Sequence, residues 1–315
     1  MNAKNKEPAI PGKLIATFPN RALLAAVVGS VLLTMPAAAQ SQRDALGDLR
    51  LNSRLTLAPA EAEPAGGGGA ADDEKAKQAD LLKKSLNPVA SLISVPFQNN
   101  WDFGIGPSDA MKYTMNFQPV IPISLNDNWN VISRTILPTI YLESTAPGVG
   151  SKFGLGDTLQ SLFLSPKESP GGWIMGAGPA LLFPTATDRA LGSGQWGAGP
   201  TAVVLRQDKG FTYGALANHI WSYAGWGGQD VNATFLQPFV AYSTKTFTTF
   251  MVNTESTYDW NAHQWSVPVN LSVSQMLKIG KQPITIGLGP RVYAEGAKGG
   301  PDWGFRFAFT FMFPK

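Results

Sequence analysis

The sequence predicts an all-β fold: a transmembrane antiparallel up-and-down β-barrel of about 12 strands, behind a short N-terminal periplasmic tail. Three observations carry this. First, the last segment is aromatic at every odd position: Trp303, Phe305, Phe307, Phe309, Phe311 and Phe313. The even positions between them are Gly, Arg, Ala, Thr and Met. Strand side chains alternate between faces, so one face is a wall of rings and the other is small or polar. A strand between lipid and a lumen needs that division. Second, the N-terminus reads as a secretory signal. Third, only 15% of the 315 residues are charged, against roughly 25% in soluble domains. With 33 Gly and 24 Pro, the composition suits strands and turns rather than helices.

In the signal, Lys4, Lys6, Lys13 and Arg21 precede an apolar run from Ala22 to Thr34, followed by Pro36-Ala37-Ala38-Ala39. A basic region, a short apolar core and an Ala-x-Ala end predict cleavage after Ala39, giving a signal peptide over 1–39. The apolar core falls short of the roughly 20 residues of a spanning helix. Residues 1–39 carry a net charge of +3, equal to that of the whole chain. The remainder is neutral, and nothing in it points to nucleic acid. The absence of Cys excludes a disulfide framework and thiolate metal sites.

Residues 40–86 read as a flexible periplasmic tail. Pro64-Ala65-Gly66-Gly67-Gly68-Gly69-Ala70 is linker-like, and 71–86 is either a short helix with Asp72 as its cap or plain disorder. The barrel is expected over 87–315, with strands near 89–99, 111–124, 129–142, 154–165, 172–184, 195–207, 211–223, 231–244, 246–259, 263–277, 283–295 and 303–313. Alternation is cleanest where Trp265, Val267, Val269, Leu271 and Val273 oppose Ser266, Asn270, Ser272 and Ser274. Short and longer connections alternate, as barrel turns and outer loops do, and an even strand count leaves both ends in the periplasm. Trp and Tyr near strand ends predict two interfacial girdles. Against the pattern, Pro119, Pro122, Pro138, Pro179, Pro200, Pro238, Pro268 and Pro290 fall inside strands. Proline cannot donate to a ladder, so bulges or kinks are expected there.

Gly-x-Gly-Pro occurs at 104–107, 176–179, 197–200 and 287–290. It lacks the third glycine and the following helix of a nucleotide loop, and reads as space for a bend or a neighbouring side chain. His219 and His263 each have a serine three positions on, Ser222 and Ser266, but i and i+3 in a strand face opposite ways, so neither pair forms a dyad. No catalytic residues, metal ligands or cofactor are expected. Taking the polar face as inward places Arg134, Asn253, Glu255, Asp259, Asn270, Arg291 and Arg306 in the lumen. These either focus a field across a pore or pair with each other and fill a small barrel.

The segment Asn87-Pro88-Val89-Ala90-Ser91-Leu92-Ile93-Ser94-Val95-Pro96-Phe97-Gln98, with Phe117-Gln118-Pro119-Val120, Gly154-Leu155-Gly156-Asp157, Trp196-Gly197-Ala198-Gly199-Pro200, Ala217-Asn218-His219-Ile220-Trp221 and Asn253-Thr254-Glu255-Ser256-Thr257-Tyr258-Asp259-Trp260, resembles a bacterial outer-membrane transporter family often labelled "neuromedin U". That family is similar to the barrels named for the MetA pathway of phenol degradation. The resemblance covers 87–315 and implies an outer-membrane barrel passing hydrophobic or aromatic compounds, with no catalytic residues. This chain ends Phe313-Pro314-Lys315, where typical barrels end on the aromatic itself.

The expected role is therefore passive passage of small, hydrophobic or aromatic solutes across the bacterial outer membrane, with a lateral exit at Pro119, Pro122 and Pro138. Outer-membrane lipids, the barrel-assembly machinery and a small-molecule solute are the expected partners. The alternatives are a non-conducting structural barrel, plugged by its own side chains or by 40–86, and a barrel-wall lipid hydrolase.

Overall fold

The computed structural model describes residues 68–314, with side chains from Asp72 onward. The expected signal peptide and the tail through residue 67 lie outside the described residues. A helix, α1 (Gly68–Ser85), precedes fifteen strand segments. They are β1 (Ile93–Ile105), β2 (Ala110–Phe117), β3 (Val120–Ser124), β4 (Trp129–Leu142), β5 (Lys152–Leu155), β6 (Thr158–Pro166), β7 (Trp173–Phe183), β8 (Gln195–Asp208), β9 (Phe211–Gly225), β10 (Asn232–Ser243), β11 (Thr248–Thr254), β12 (Ser256–Asp259), β13 (Gln264–Ile279), β14 (Gln282–Glu295) and β15 (Trp303–Phe313). The pairs β2/β3, β5/β6 and β11/β12 are each one barrel strand with an interrupted ladder, which makes a closed antiparallel barrel of 12 strands. No described helix is long and apolar enough to cross a membrane.

The first and last strands close the wall. They pair at eleven positions from Ile93↔Phe313 to Phe103↔Trp303. The ring stripe of β15 lies on the outer face, against the rings of β1. Phe103 stacks on Trp303 at 4.7 Å, Trp101 on Phe305 at 4.5 Å and Phe97 on Phe309 at 5.2 Å. Cross-strand aromatic pairs add to the ladder in a way polar pairs in lipid cannot. Further rings cluster at the two ends of the wall, Trp129, Trp173, Phe211 and Tyr242 at the short-turn end and Trp196, Trp221, Trp260 and Trp265 at the other, all exposed.

The in-strand prolines coincide with gaps in the ladders. Pro119 separates β2 from β3 without shifting the register, since Phe117↔Leu137 and Val120↔Arg134 belong to one alignment. Pro238 and Pro268 flank Glu255, the residue between β11 and β12. A register shift at Val267/Pro268 marks a bulge. Three of the Gly-x-Gly-Pro motifs share one device. At Gly178-Pro179, Gly199-Pro200 and Gly289-Pro290 the pairing skips a step. A Cβ on Gly178, Gly199 or Gly289 would collide with the carbonyl of Leu162, His219 or Leu271 respectively. The proline offers that neighbouring strand no N–H, and the glycine lets the backbones close in. The space thus serves a neighbouring backbone rather than a side chain.

Residues 86–92 differ from the expected strand at 89–99. Asn87 folds them into a turn, its Oδ1 accepting from Val89 N at 3.0 Å and its carbonyl from Ala90 N at 3.1 Å. The segment enters the barrel instead of joining the wall. The helix also starts earlier than expected, so Asp72 lies within α1 rather than capping it.

A charged belt in the lumen and a helix across one mouth

Strand parity sets the inward face. On β15 it carries Arg306, on β14 Arg291 and Tyr293, on β1 Gln98, Asn100 and Asp102, on β2 Lys112, and on β4 Arg134. Glu255 projects inward from the gap between β11 and β12 and reaches across to the opposing strands. Its Oε1 accepts from Arg306 Nη1 at 2.9 Å, and its Oε2 accepts from Arg306 Nη2 at 2.7 Å and from Arg291 Nη1 at 3.2 Å. Arg306 Nε donates to Asn100 Oδ1 at 2.7 Å, and with the Gln98 amide oxygen turned toward it Arg306 Nη2 donates there at 2.8 Å. Arg291 Nε lies 3.2 Å from Asp102 Oδ1 and donates to the Tyr293 hydroxyl at 3.1 Å. Arg134 Nη2 donates to Gln118 Oε1 at 3.1 Å, and Gln118 Nε2 to Gln98 Oε1 at 3.4 Å in the unturned amide. The bidentate Arg306–Glu255 pair fixes geometry as well as charge. Side-chain exposures of 11% for Arg306 and Arg291 and 17% for Glu255 make this a nearly dry crossing of the lumen.

Beneath the belt, toward the short-turn end, the lumen is apolar. Val120, Ile132, Phe163, Val203, Leu205, Leu216 and Phe239 form one buried cluster together with Val89. Val120 pairs in register with Arg134, and Phe239 with Asn253, so the belt rests directly on this layer. Below it, Leu82 of α1 packs with Ala90, Leu92, Met276 and Met312, alongside Phe247. Two polar clasps hold the helix across the mouth. Lys278 Nζ on β13 meets Glu74 Oε1 at 2.6 Å, and Gln207 Nε2 on β8 donates to the Lys83 carbonyl at 2.8 Å. A cleft opens on each side of α1, of about 590 and 690 Å³.

Of the sequence-predicted lumen residues, Arg134, Glu255, Arg291 and Arg306 come together in the belt. Asn253 and Asn270 pair in register beside it, 5% and 1% exposed. Asp259 stands apart: its Oδ1 accepts from Asn261 N and Ala262 N and shapes the turn after β12. Asn100 and Asp102 lie outside the sequence-predicted set because the first expected strand stops at 99, and Lys112 lies outside it although it falls within the expected strand 111–124. The alternation of Asn100 and Asp102 with Trp101 and Phe103, and of Lys112 with Met111 and Tyr113, is the signal the sequence offers. His219 faces outward, its ring nitrogens 2.7 Å from Thr234 Oγ1 and 3.1 Å from Asn232 Oδ1, while the Ser222 hydroxyl donates to Asp230. His263 sits in the turn before β13 at φ 54°.

The wall around β4 is loosened on both sides. Toward β2/β3 the ladder is thinned at Gln118-Pro119, where Pro119 has no N–H to give and only Thr135 N donates, to the Pro119 carbonyl at 3.1 Å. Toward β5/β6 it is thinned at Gly156-Asp157, with a one-residue slip between Ile136↔Leu159 and Thr139↔Leu155 and Gly156 N still donating to the Pro138 carbonyl at 2.9 Å. Asp157 ties the loop at 184–194 against this break, accepting from Ser193 Oγ at 2.7 Å, Gly194 N at 3.0 Å and Ala186 N at 3.1 Å. On the outer face beside it lies a polar cluster. Thr135 Oγ1 donates to Gln160 Oε1 at 2.5 Å, Gln160 Nε2 to Ser133 Oγ at 3.0 Å, and the Thr158 and Thr185 hydroxyls meet at 2.8 Å.

The sequence matches no family model and no curated protein. Among solved structures the fold is similar to an outer membrane channel from Pseudomonas putida, with a TM-score of 0.55 and 16% identity over 70% of this chain and 94% of that one. Weaker likenesses are the NanC porin, TM-score 0.44 and 12% identity over 70% and 100%, and outer membrane phospholipase A from Escherichia coli, TM-score 0.41 and 11% identity over 76% and 98%. The fold is thus that of bacterial outer-membrane barrels.

Proposed function

We propose that this barrel is an outer-membrane channel for small hydrophobic or aromatic solutes, which leave the lumen through the wall beside β4. The observation that carries the reading is a missing ladder donor on each side of β4, at Pro119 toward β2/β3 and at Pro138 toward β5/β6, which leaves single backbone bonds there, Thr135 N to the Pro119 carbonyl at 3.1 Å and Gly156 N to the Pro138 carbonyl at 2.9 Å, next to outward polar groups. Every backbone polar group in hydrocarbon needs a partner, so a wall gap with its own hydrogen-bonding side chains is a place where the wall can part. The axial route supports the same conclusion, because belt, apolar layer and α1 stand in series across it. Outer-membrane lipids surround the barrel, and the barrel-assembly machinery inserts it. Replacing Pro119, Pro122 and Pro138 together with Val or Thr restores ladder donors. It is expected to lower uptake of a small aromatic compound into cells at unchanged barrel abundance; unchanged uptake would remove the lateral route.

A second reading, a non-conducting structural barrel, is favoured by one observation: Ile132, Phe163 and Leu205 are completely buried inside the lumen. It predicts no conductance even after deletion of residues 68–85.

A further inference from the structure

The larger cleft beside α1, about 690 Å³, lies between the helix and two short turns, Lys209-Gly210 joining β8 to β9 and 244–247 joining β10 to β11. Lys75 and Lys83 line it from α1, Lys209 and Lys245 from the turns, with a single carboxylate, Asp208. Among the described residues none of these four lysines is ion-paired. The smaller cleft differs: there Lys84 meets Asp80 at 2.7 Å and Lys278 meets Glu74 at 2.6 Å. Backbone bonds gather three of the lysines at one end of the larger cleft. The Lys83 carbonyl accepts from Gln207 Nε2 at 2.8 Å, two positions before Lys209. Ser243 N, two positions before Lys245, donates to the Gly210 carbonyl at 2.8 Å. Lys75 stands about two helical turns away and adds to the field rather than to the contact. Carbonyls at a helix C-terminus repel anions, but here they are occupied: Leu82 by Ser85 Oγ, Lys83 by Gln207 and Lys84 by Asn87 N.

The other walls of the cleft define the kind of anion. Its floor includes Leu82, Leu86 and Phe247, and its rim Phe211 and Tyr242. Those two rings pack on each other at 4.8 Å, pair in register on β9 and β10, and are exposed on the outer face among the rings of the short-turn end. Such rings sit at the height of the lipid headgroups, so the cleft opens at that height. We infer that it holds the phosphate of an anionic phospholipid from the leaflet on the short-turn side. Lys83, Lys209 and Lys245 face the phosphate, and the acyl chains run along the wall past Phe211 and Tyr242. A zwitterionic lipid brings its own ammonium to the same lysines and is disfavoured; basic clusters at a membrane surface select anionic lipids by charge. Shared by α1 and two turns, the lipid ties the helix to the barrel on the side opposite the Lys278–Glu74 clasp. The site is independent of whether the barrel conducts.

The test is native mass spectrometry of the full chain released from mixed micelles containing equal amounts of dioleoylphosphatidylglycerol and dioleoylphosphatidylcholine, with inorganic phosphate as competitor. The chain is expected to retain one phosphatidylglycerol severalfold more often than phosphatidylcholine. Lys209→Gln and Lys245→Gln are each expected to lower that preference about fivefold. Lys167→Gln, on the short turn between β6 and β7 and outside the cleft, is expected to leave it unchanged. Equal retention of the two lipids, or of neither, overturns the assignment, and this wild-type comparison needs no variant to fold. An equal loss in Lys167→Gln makes the attraction a diffuse property of the rim and also overturns it. Displacement of the lipid by equimolar phosphate makes the cleft a free-phosphate site and overturns the choice of lipid.

Discussion

Glu255 is the residue on which the lumen turns. It supplies both carboxylate oxygens to Arg306 and one to Arg291, and its own strand is interrupted there because Pro238 and Pro268 offer it no ladder donors. Removing one partner of a buried charge cluster leaves the others uncompensated. Glu255→Gln is therefore expected to lower unfolding stability by about 3 kcal/mol, read as a lower denaturant midpoint. Glu74 makes a contrasting, exposed contact. Its hydrogen bond to Lys278, with that lysine's charge, holds its carboxyl below the usual carboxylate range. A depressed folded-state value means the clasp contributes above the unfolded carboxylate pKa and is lost as pH falls through the folded one. A fluorophore on α1 should report loosening of the helix on acidification, and Lys278→Ala should abolish that pH dependence. The inward placement of Glu255, Arg291 and Arg306 was legible from alternation alone. Which of them touch was not, because pairing across a lumen depends on strand order and tilt rather than on spacing along any one strand.

At the scale of the element, the prolines that contradict a simple strand reading mark where ladders lapse. Gly199-Pro200 and Gly289-Pro290 bring a neighbouring carbonyl against a bare Cα. Gly199→Ala and Gly289→Ala should each cost about 1–3 kcal/mol through overpacking. Gly150→Ala, with open space around it, should stay within roughly 0.5 kcal/mol in the same unfolding assay. Strand positions were readable because lipid and lumen impose opposite demands on successive residues, and Trp129–Leu142 and Trp303–Phe313 fell where periodicity placed them. The segment 86–92 was not readable. Val89, Ser91 and Ile93 continue the alternation of the strand after them, while the Asn87 side chain diverts the chain into the lumen. The helix is an element whose apolar contact is narrow, chiefly Leu81 and Leu82. Leu82→Asp should detach it and leave the barrel folded, detectable as faster proteolysis of 68–85 with unchanged strand content.

For the whole molecule, composition and the closing strand were enough to reach a barrel, since only closed strand systems and helices satisfy their backbones in lipid. The contents of the lumen were beyond that reasoning. They depend on a tail whose sequence suits a helix or disorder equally and whose docking is decided by Met276, Met312 and Phe247 at the barrel's lower rim. Among the described residues the belt, the apolar layer and α1 stand in series along the axis, and a ladder donor is missing on each side of β4, at Pro119 and Pro138. The most direct test fixes α1 in place. The chain has no Cys, so Glu74→Cys with Lys278→Cys gives a unique pair for a short bismaleimide linker between α1 and β13. Uptake of a small aromatic compound into proteoliposomes is then measured before and after cross-linking. Lateral passage predicts the same uptake in both states. Uptake that stops when the helix is tethered would contradict it, and would make the axis, with α1 as its gate, the route.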